Sequence, residues 1–257
     1  MTSFPFTSAL LTGASSGIGE AMANLLGAAE VPTVLVARRT ERLQKLADRY
    51  PGFTVLTADL GDADDLNKVA DRIASSTDPI DLVVNNAGFG TTGMFHELDS
   101  ERLGEEISLN VAALTRLSHA ALATMLPRGR GYLLNVSSMA SFQPAPKLAV
   151  YAATKAYVTN LTESLHEEMR GTGVRVTALC PGLTRTEFQS VSGGDVSAAN
   201  YPAFAWLTAE DVARTGLDDV AKGRAVSIPG VLYKGMSVAS GITPRGLTRR
   251  LASLVQR

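Results

Sequence analysis

The chain of 257 residues has few of the residues that build cross-links and metal sites, and it has no long apolar run. Its single cysteine, Cys180, cannot form an internal disulfide, and no Cys/His cluster has metal-ligand spacing. No stretch approaches the roughly 18 uncharged apolar residues of a membrane span, and the first residues lack the pattern of a secretory signal. These absences exclude a disulfide scaffold and predict a cytoplasmic protein without a metal site. We expect Cys180 to be a small buried side chain.

Acidic residues are absent from the last part of the chain. Seven of the 24 basic residues and none of the 25 acidic residues lie between Val220 and Arg257. We therefore predict that residues 231–257 form a basic, helical extension. Its end, residues 245–257, has an amphipathic pattern that suits an anionic membrane surface or an acidic partner. We favour packing on the body of the protein or on another subunit, in a homodimer or homotetramer, and the net charge of −1 predicts no nucleic-acid partner.

Short apolar runs alternate with longer segments of helical period, which is typical of repeated strand–helix–strand units. We predict a single-domain α/β fold, Rossmann-like and doubly wound, with a parallel seven-stranded sheet and helices on both faces. The catalytic domain spans residues 1–230. It includes an aperiodic segment at about residues 187–206, which is either a lid or an ordinary loose loop. The predicted strands are Ala9–Leu11, Thr33–Ala37, Thr54–Leu56, Leu82–Asn85, Tyr132–Val136, Arg175–Leu179 and Ala225–Ile228.

A glycine-rich turn, Thr12-Gly-Ala-Ser-Ser-Gly-Ile-Gly19, follows the first predicted strand and opens a helix. Because Gly13, Gly17 and Gly19 lack side chains, backbone N–H groups and the helix N-terminus can approach a pyrophosphate. The next strand ends in Ala37-Arg38-Arg39, where an NAD-binding protein presents an acidic residue to the ribose. A neutral residue followed by guanidinium groups favours a 2′-phosphate instead, so we predict NADP, with NAD as the alternative.

Tyr151 and Lys155 lie four residues apart, so one helical turn places the phenol and the ammonium on the same face. The positive charge favours the ionised phenol. An ordinary tyrosine has a pKa near 10, and work near neutral pH requires about 3–4 kcal/mol of differential stabilisation. Ser137 and Ser138 follow a predicted strand, and only one of the two should meet a substrate. Such a hydroxyl and a tyrosine acid together suit carbonyl and alcohol redox chemistry.

These motifs, in this order, resemble those of the short-chain dehydrogenase/reductase superfamily from about residue 8 to residue 230. Thr12 to Gly19 matches the TGxxxGxG turn of that family, and Tyr151 with Lys155 matches its YxxxK motif. The resemblance implies that Ser138 positions the carbonyl oxygen and that Asn110 holds a water in a proton relay. These two residues complete a catalytic set with Tyr151 and Lys155. The implied cofactor site consists of Gly13, Ser15, Ser16, Gly17, Ile18, Gly19, Arg38, Arg39, Asp59, Leu60, Asn86, Ala87, Gly88, Tyr151, Lys155, Pro181, Gly182, Thr184 and Thr186.

Large apolar residues near the motif ends predict a lipophilic carbonyl or alcohol substrate. They are Phe89, Met94, Phe95, Met139, Phe142, Phe188, Tyr201 and Trp206. Two alternatives stay open. One is a 3-oxoacyl-thioester reductase, in which the basic tail meets an acidic carrier or a phosphorylated thiol cofactor. The other is a non-catalytic NADP-binding sensor or scaffold, against which the complete catalytic set argues.

Overall fold

The computed structural model describes residues 4–193 and 202–242. Seven of its strands pair in parallel in one sheet, which confirms the predicted Rossmann-like architecture. The strands are β1 Ala9–Thr12, β2 Thr33–Ala37, β3 Phe53–Thr57, β4 Leu82–Asn85, β5 Gly131–Val136, β6 Val174–Leu179, β7 Thr184–Arg185, β8 Leu207–Thr208 and β9 Val226–Ser227. The order in the large sheet is β3-β2-β1-β4-β5-β6-β9, and β7 pairs with β8 in a small separate sheet.

Helices connect the strands and cover both faces of the sheet. They are α1 Gly17–Ala28, α2 Thr40–Arg49, α3 Ala63–Ala74, α4 Ser100–Ile107, α5 Leu114–Arg128, α6 Ala149–Glu168, α7 Phe188–Val191, α8 Ala209–Lys222 and α9 Val231–Ile242. A π-helical segment, Ser108–Ala113, joins α4 to α5. Among the described residues, no helix is both long enough and apolar enough to cross a membrane.

Two hydrophobic cores form because successive strand residues point to opposite faces of the sheet. Leu10, Val83 and Leu133 are neighbours in register and pack against α3 and α5. Leu11 and Leu134 point the other way and pack with residues of α1, α2 and α8. The strands are therefore buried on both faces, as is usual for a parallel sheet, and short unbroken apolar runs encode them.

The strand order reverses between β1 and β4, which places a crevice outside the carboxyl ends of these strands. From β1 the chain builds the sheet outward through β2 and β3, and it then returns to add β4 on the other side of β1. Ligands bind at such a switch point in open α/β sheets. The glycine-rich turn follows β1 and the segment Asn85 to Gly88 follows β4, so both motifs meet at this crevice.

The segment at residues 187–206, predicted without regular structure, is ordered at both ends. The short helix α7 begins directly after Glu187, and Ala203–Ala205 forms a 3₁₀ turn. The strands β7 and β8, which flank the segment, pair with each other and hold its ends together. Residues 194–201, including Tyr201, lie outside the described residues, as do residues 243–257 with their predicted amphipathic helix. The helix α9 forms the first part of the predicted extension.

Candidate active site

One cavity of about 680 Å³ lies along the crevice and brings together most of the predicted site residues. The turn after β1 lines one end, and Ser138, Tyr151 and Lys155 line the middle. Of the residues predicted for cofactor binding and catalysis, only Gly19 and Asn110 do not line the cavity. These residues come from segments far apart in the chain, and the fold gathers them in one cavity. A cavity of this composition is expected of a single site for a dinucleotide and a substrate.

The start of α1 provides free donors for an anion. Its N-cap residue, Ser16, makes no side-chain capping bond, so the Ser16 hydroxyl leaves the first N–H groups of this helix to other acceptors. By contrast, Asp62 caps α3 with two hydrogen bonds of 3.0 Å. Gly13 and Gly17 have φ values of 66° and 58°, which a residue with a Cβ adopts at a cost. A dinucleotide pyrophosphate fits this uncapped, glycine-rich helix start.

Gly19, which the sequence predicts to bind the cofactor, lies in a tightly packed place behind the turn. A Cβ at Gly19 would lie 2.2 Å from the carbonyl oxygen of Gly13, and a Cβ at Gly13 would lie 2.7 Å from Nδ2 of Asn86. The Asn86 amide donates hydrogen bonds to the carbonyls of Thr12 and Gly13, at 3.0 and 3.2 Å. Gly19 therefore allows α1 to pack closely on the turn and on Asn86, and it does not itself line the cavity.

The two arginines after β2 have different surroundings. Arg38 is exposed, lines the cavity and forms an ion pair of 3.6 Å with Asp59. Arg39 donates from Nη2 to the Ser16 hydroxyl at 2.6 Å and from Nε to the Ser15 hydroxyl at 3.1 Å. The Arg39 guanidinium thus lies beside the turn that follows β1, whereas the Arg38 guanidinium pairs with Asp59 after β3 and has the fewer partners among the described residues.

Tyr151 and Lys155 share one face of α6, as predicted from their spacing. The Lys155 ammonium lies 5.8 Å from the centre of the Tyr151 ring and donates a hydrogen bond of 2.8 Å to the Val136 carbonyl. Burial raises the pKa of Tyr151 to about 12 and lowers that of Lys155 to about 8. Desolvation is the largest influence on the Tyr151 phenol, and the lowering of its pKa that we predict from Lys155 together with a bound oxidised nicotinamide stays a prediction.

Ser137 and Ser138 point in opposite directions at the end of β5. The Ser137 hydroxyl is buried and bonds the Lys155 carbonyl at 2.8 Å and the Thr159 hydroxyl at 2.7 Å. Ser138 lines the cavity, and its hydroxyl lies close enough to Tyr151 to favour the ionised phenol. Ser137 also lines the cavity, but its hydroxyl is engaged in these bonds, so of the two hydroxyls it is that of Ser138 that lies beside Tyr151.

Asn110 lies behind the cavity in the π-helical segment and is fully buried. Its amide donates to the Phe89 carbonyl at 2.7 Å and to the Thr154 hydroxyl at 3.2 Å, and its oxygen accepts from the Phe89 N–H at 3.1 Å. Both donors of the amide have partners in the chain, so a water of the predicted relay has to be held by an oxygen of Asn110. A π-helical turn is itself a feature that concentrates at functional sites.

Glu106 is a buried carboxyl group near the catalytic residues that the sequence interpretation missed. It is 0% exposed, and neither oxygen has a hydrogen-bond partner among the described residues; Thr91 lies close without bonding geometry. Burial raises the pKa of Glu106, whereas Thr91 and Lys155 oppose this rise. The Glu106 charge in turn raises the pKa values of Tyr151 and Lys155. Glu106 lies three residues after Leu103 and four residues before Asn110, which places the three on one helical face. This spacing in the sequence is the signal that could have indicated a buried carboxyl group near Asn110.

Replacing Glu106 by glutamine should make Tyr151 easier to ionise. The substitution removes a negative charge that disfavours the phenolate and leaves the shape of the side chain almost unchanged. In alcohol oxidation Tyr151 must lose its proton, so we expect the acidic limb of the pH profile, where kcat/KM rises with pH, to move to lower pH. Measuring kcat/KM against pH for Glu106→Gln tests this expectation, with the exposed neighbour Glu105→Gln as the control. A limb that stays in place or moves to higher pH would contradict the electrostatic role.

The substrate end of the cavity is largely apolar. Met94 and Phe95, predicted to line it, are 49% and 63% exposed and lie elsewhere. The helix α9 contributes to the lining because the Tyr233 hydroxyl donates to the Ala205 carbonyl at 2.6 Å and accepts from the Leu183 N–H at 3.0 Å. The apolar lining residues at this end are Phe89, Met139, Phe142, Phe188, Trp206, Leu232, Tyr233 and Met236.

The sequence of the chain is similar to those of known dehydrogenases and reductases. The family model described as short chain dehydrogenase matches residues 7–195. A sulfoacetaldehyde reductase from Chromohalobacter salexigens is 36% identical over 211 residues, which cover 79% of this chain and 83% of that protein. The match to the family model extends over the turn after β1, the strands β4 and β5, and the YxxxK motif.

Solved structures share the whole architecture. A short-chain dehydrogenase from Sphingobium yanoikuyae in complex with NADPH has a TM-score of 0.84 and 31% identity, covering 96% of this chain and 94% of that chain. A bulky-bulky ketone specific alcohol dehydrogenase from Comamonas testosteroni has a TM-score of 0.77 and 28% identity, over 93% and 95% of the two chains. The chain is therefore similar to solved dehydrogenase structures over nearly its full length.

Proposed function

The chain belongs to the short-chain dehydrogenase family, and on that premise we propose that it transfers a hydride between NADP and a carbonyl/alcohol pair, with Tyr151 as general acid or base. One observation carries this proposal. The cavity that begins at the uncapped start of α1 continues without a break to Ser138, Tyr151 and Lys155. The proposed dinucleotide site at the start of α1 and the proposed proton donor Tyr151 thus lie in the same cavity.

The cofactor supplies the hydride, and residues of the chain position the carbonyl oxygen and protonate it. Ser138 holds this oxygen through its hydroxyl, next to Tyr151. In reduction, the Tyr151 hydroxyl donates its proton to the oxygen as negative charge develops there, which yields the alcohol. Lys155 holds its ammonium on the Val136 carbonyl, beside the tyrosine ring, where it stabilises the phenolate that remains. In oxidation, the phenolate takes the proton back.

The preference for NADP over NAD is assigned to Arg38. Its guanidinium is exposed in the cavity wall and has only a loose ion pair with Asp59, so it can bind a 2′-phosphate through charge-assisted hydrogen bonds. We expect Arg38→Ala to weaken NADPH binding about tenfold to a hundredfold and to leave NADH binding unchanged. Fluorescence titration with both cofactors measures this difference, with the distant surface variant Arg170→Ala as the control. An equal loss for both cofactors would remove Arg38 from this role.

The proposed substrate is a lipophilic, bulky ketone or the corresponding alcohol. Support comes from the aromatic and aliphatic lining of the substrate end, to which Phe142, Trp206 and Met236 belong. The experiment is to follow NADPH absorbance with bulky ketones, small aldehydes such as sulfoacetaldehyde, and 3-oxoacyl thioesters. The proposal expects the highest kcat/KM with bulky ketones. A preference for the thioesters would favour the 3-oxoacyl-thioester reductase, and binding without turnover of any compound would favour the sensor.

A homodimeric or homotetrameric state and a cytoplasmic location belong to the same proposal. They rest on the sequence and on the family. Light scattering of the purified full chain measures the mass in solution, and a monomer would contradict the proposed assembly.

A further inference from the structure

Glu187 forms ion pairs with two arginines beside the glycine-rich turn that follows β1. Its carboxylate accepts hydrogen bonds from Arg39 at 2.9 Å and from Arg42 at 2.8 and 3.0 Å. Glu187 and Arg39 both line the cavity. Glu187 lies 148 positions after Arg39 and 145 positions after Arg42, so the contact links the segment after β7 to the end of β2 and the first turn of α2.

The surroundings of this carboxylate have the composition of an anion site. Arg39 and Arg42 supply guanidinium donors, and the Ser15 and Ser16 hydroxyls lie within hydrogen-bond distance of Arg39. Hydrogen bonds from Arg42 and Arg39 lower the pKa of Glu187, so the carboxylate is ionised at neutral pH. A carboxylate and a phosphate are recognised by the same planar guanidinium fork.

All three nitrogens of the Arg39 guanidinium have partners. Nε and Nη2 donate to the serine hydroxyls, and Nη1 donates to Glu187. A phosphate that approaches Arg39 or Arg42 has to replace the Glu187 carboxylate or share donors with it, and two anions at one site repel each other. The side chains of Glu187, Arg39 and Arg42 are 43–47% exposed, so solvent screens the ion pairs and an incoming phosphate can displace them at modest cost.

We propose that Glu187 is a specificity-determining residue that competes with the 2′-phosphate of NADP for Arg39 and Arg42 and thereby limits the discrimination between NADP and NAD. The inference rests on the proposed preference for NADP. It assigns Arg42 to the same phosphate site, one helical turn beyond the arginines after β2. Arg38, which is not bound by Glu187, makes the first contact with the phosphate.

The test uses two fragments that differ only in the 2′-phosphate, adenosine 2′,5′-bisphosphate and adenosine 5′-monophosphate. Isothermal titration calorimetry on the full chain gives the Kd of each, without any catalytic step. For Glu187→Gln we expect the bisphosphate to bind about threefold to tenfold more tightly and the monophosphate to bind as before, because only the competing charge is lost. Glu167→Gln, which breaks an exposed ion pair with Arg170 at the far end of α6, should change neither Kd.

Three results would overturn the inference, and each is distinct from failure of the proposed function. An unchanged bisphosphate Kd in Glu187→Gln would show that Glu187 does not compete. If both fragments bound more tightly by the same factor, Glu187 would only repel anions in general. If both bound more weakly, Glu187 would help to hold the cofactor instead of competing with its 2′-phosphate. If the wild-type protein itself binds the bisphosphate no better than the monophosphate, the preference for NADP fails, whatever the variant does. Thermal unfolding of each variant confirms that it is folded.

Discussion

Tyr151→Phe should lower kcat by about 10³–10⁴ and leave NADPH binding unchanged. The substitution removes the hydroxyl that we propose as the proton donor to the carbonyl oxygen beside Ser138, while the ring still packs against Phe188 at 5.3 Å between centroids. In the proposed site the turn after β1 and the arginines hold the phosphates of the cofactor, and the substitution at Tyr151 leaves them unchanged. Turnover and binding should therefore separate in this variant.

Single-turnover rates and NADPH titration of the same preparation provide the measurement. Tyr157→Phe is a matched control, because Tyr157 lies on the same helix but is exposed and bonds the Thr115 hydroxyl at 3.0 Å. It should keep wild-type kcat. A Tyr151→Phe variant that retains more than about a tenth of wild-type turnover would be incompatible with the proton transfer proposed for Tyr151.

Lys155→Met should lower kcat by about 10²–10³ and at the same time stabilise the folded protein by about 1–3 kcal/mol. The loss of activity follows because the phenolate loses its neighbouring positive charge. The gain in stability follows because Lys155 is only 5% exposed and its charge is costly to bury. Loss of the hydrogen bond to the Val136 carbonyl offsets part of this gain.

The pH dependence of the free energy of unfolding also tests whether the buried charge of Lys155 destabilises the folded protein. Burial lowers the pKa of Lys155 to about 8, from 10.5 for an ordinary lysine. Between these values the unfolded chain binds more protons than the folded one, so this residue makes stability rise with pH in that window. Urea unfolding at neutral and at alkaline pH should show the rise in wild type and a smaller rise in Lys155→Met. The exposed Lys68→Met serves as the control, and destabilisation by Lys155→Met at neutral pH would contradict the account.

The sheet is predictable from the sequence because each strand is buried on both faces. Runs such as Thr33–Ala37 and Leu82–Asn85 contain mainly apolar and β-branched residues, and the structure has both with the same bounds. The cavity is predictable for a related reason, since the carboxyl ends of parallel strands meet at one edge. Motifs that directly follow β1, β4 and β5 therefore gather in one place whatever the helices between them contain.

The remaining features depend on distances that a local pattern does not encode. The pKa of Tyr151 is the balance between burial, the Ser138 hydroxyl and nearby charges, so the spacing of Tyr151 and Lys155 alone does not determine it. The contacts of Glu187 with Arg39 and Arg42 join parts of the chain with no sequence relation. Gly19 shows a third case, because a glycine in a cofactor motif serves helix packing rather than the ligand.

The most direct test of the central claim is the transfer of a labelled hydride. The wild-type protein is incubated with a bulky ketone and NADPH that carries deuterium at the transferring position of the nicotinamide ring, and the alcohol is analysed by mass spectrometry. The account predicts an alcohol that carries one deuterium on the former carbonyl carbon, formed by wild type and not by Tyr151→Phe. An alcohol without deuterium, or equal labelled product from the Tyr151→Phe variant, would contradict it.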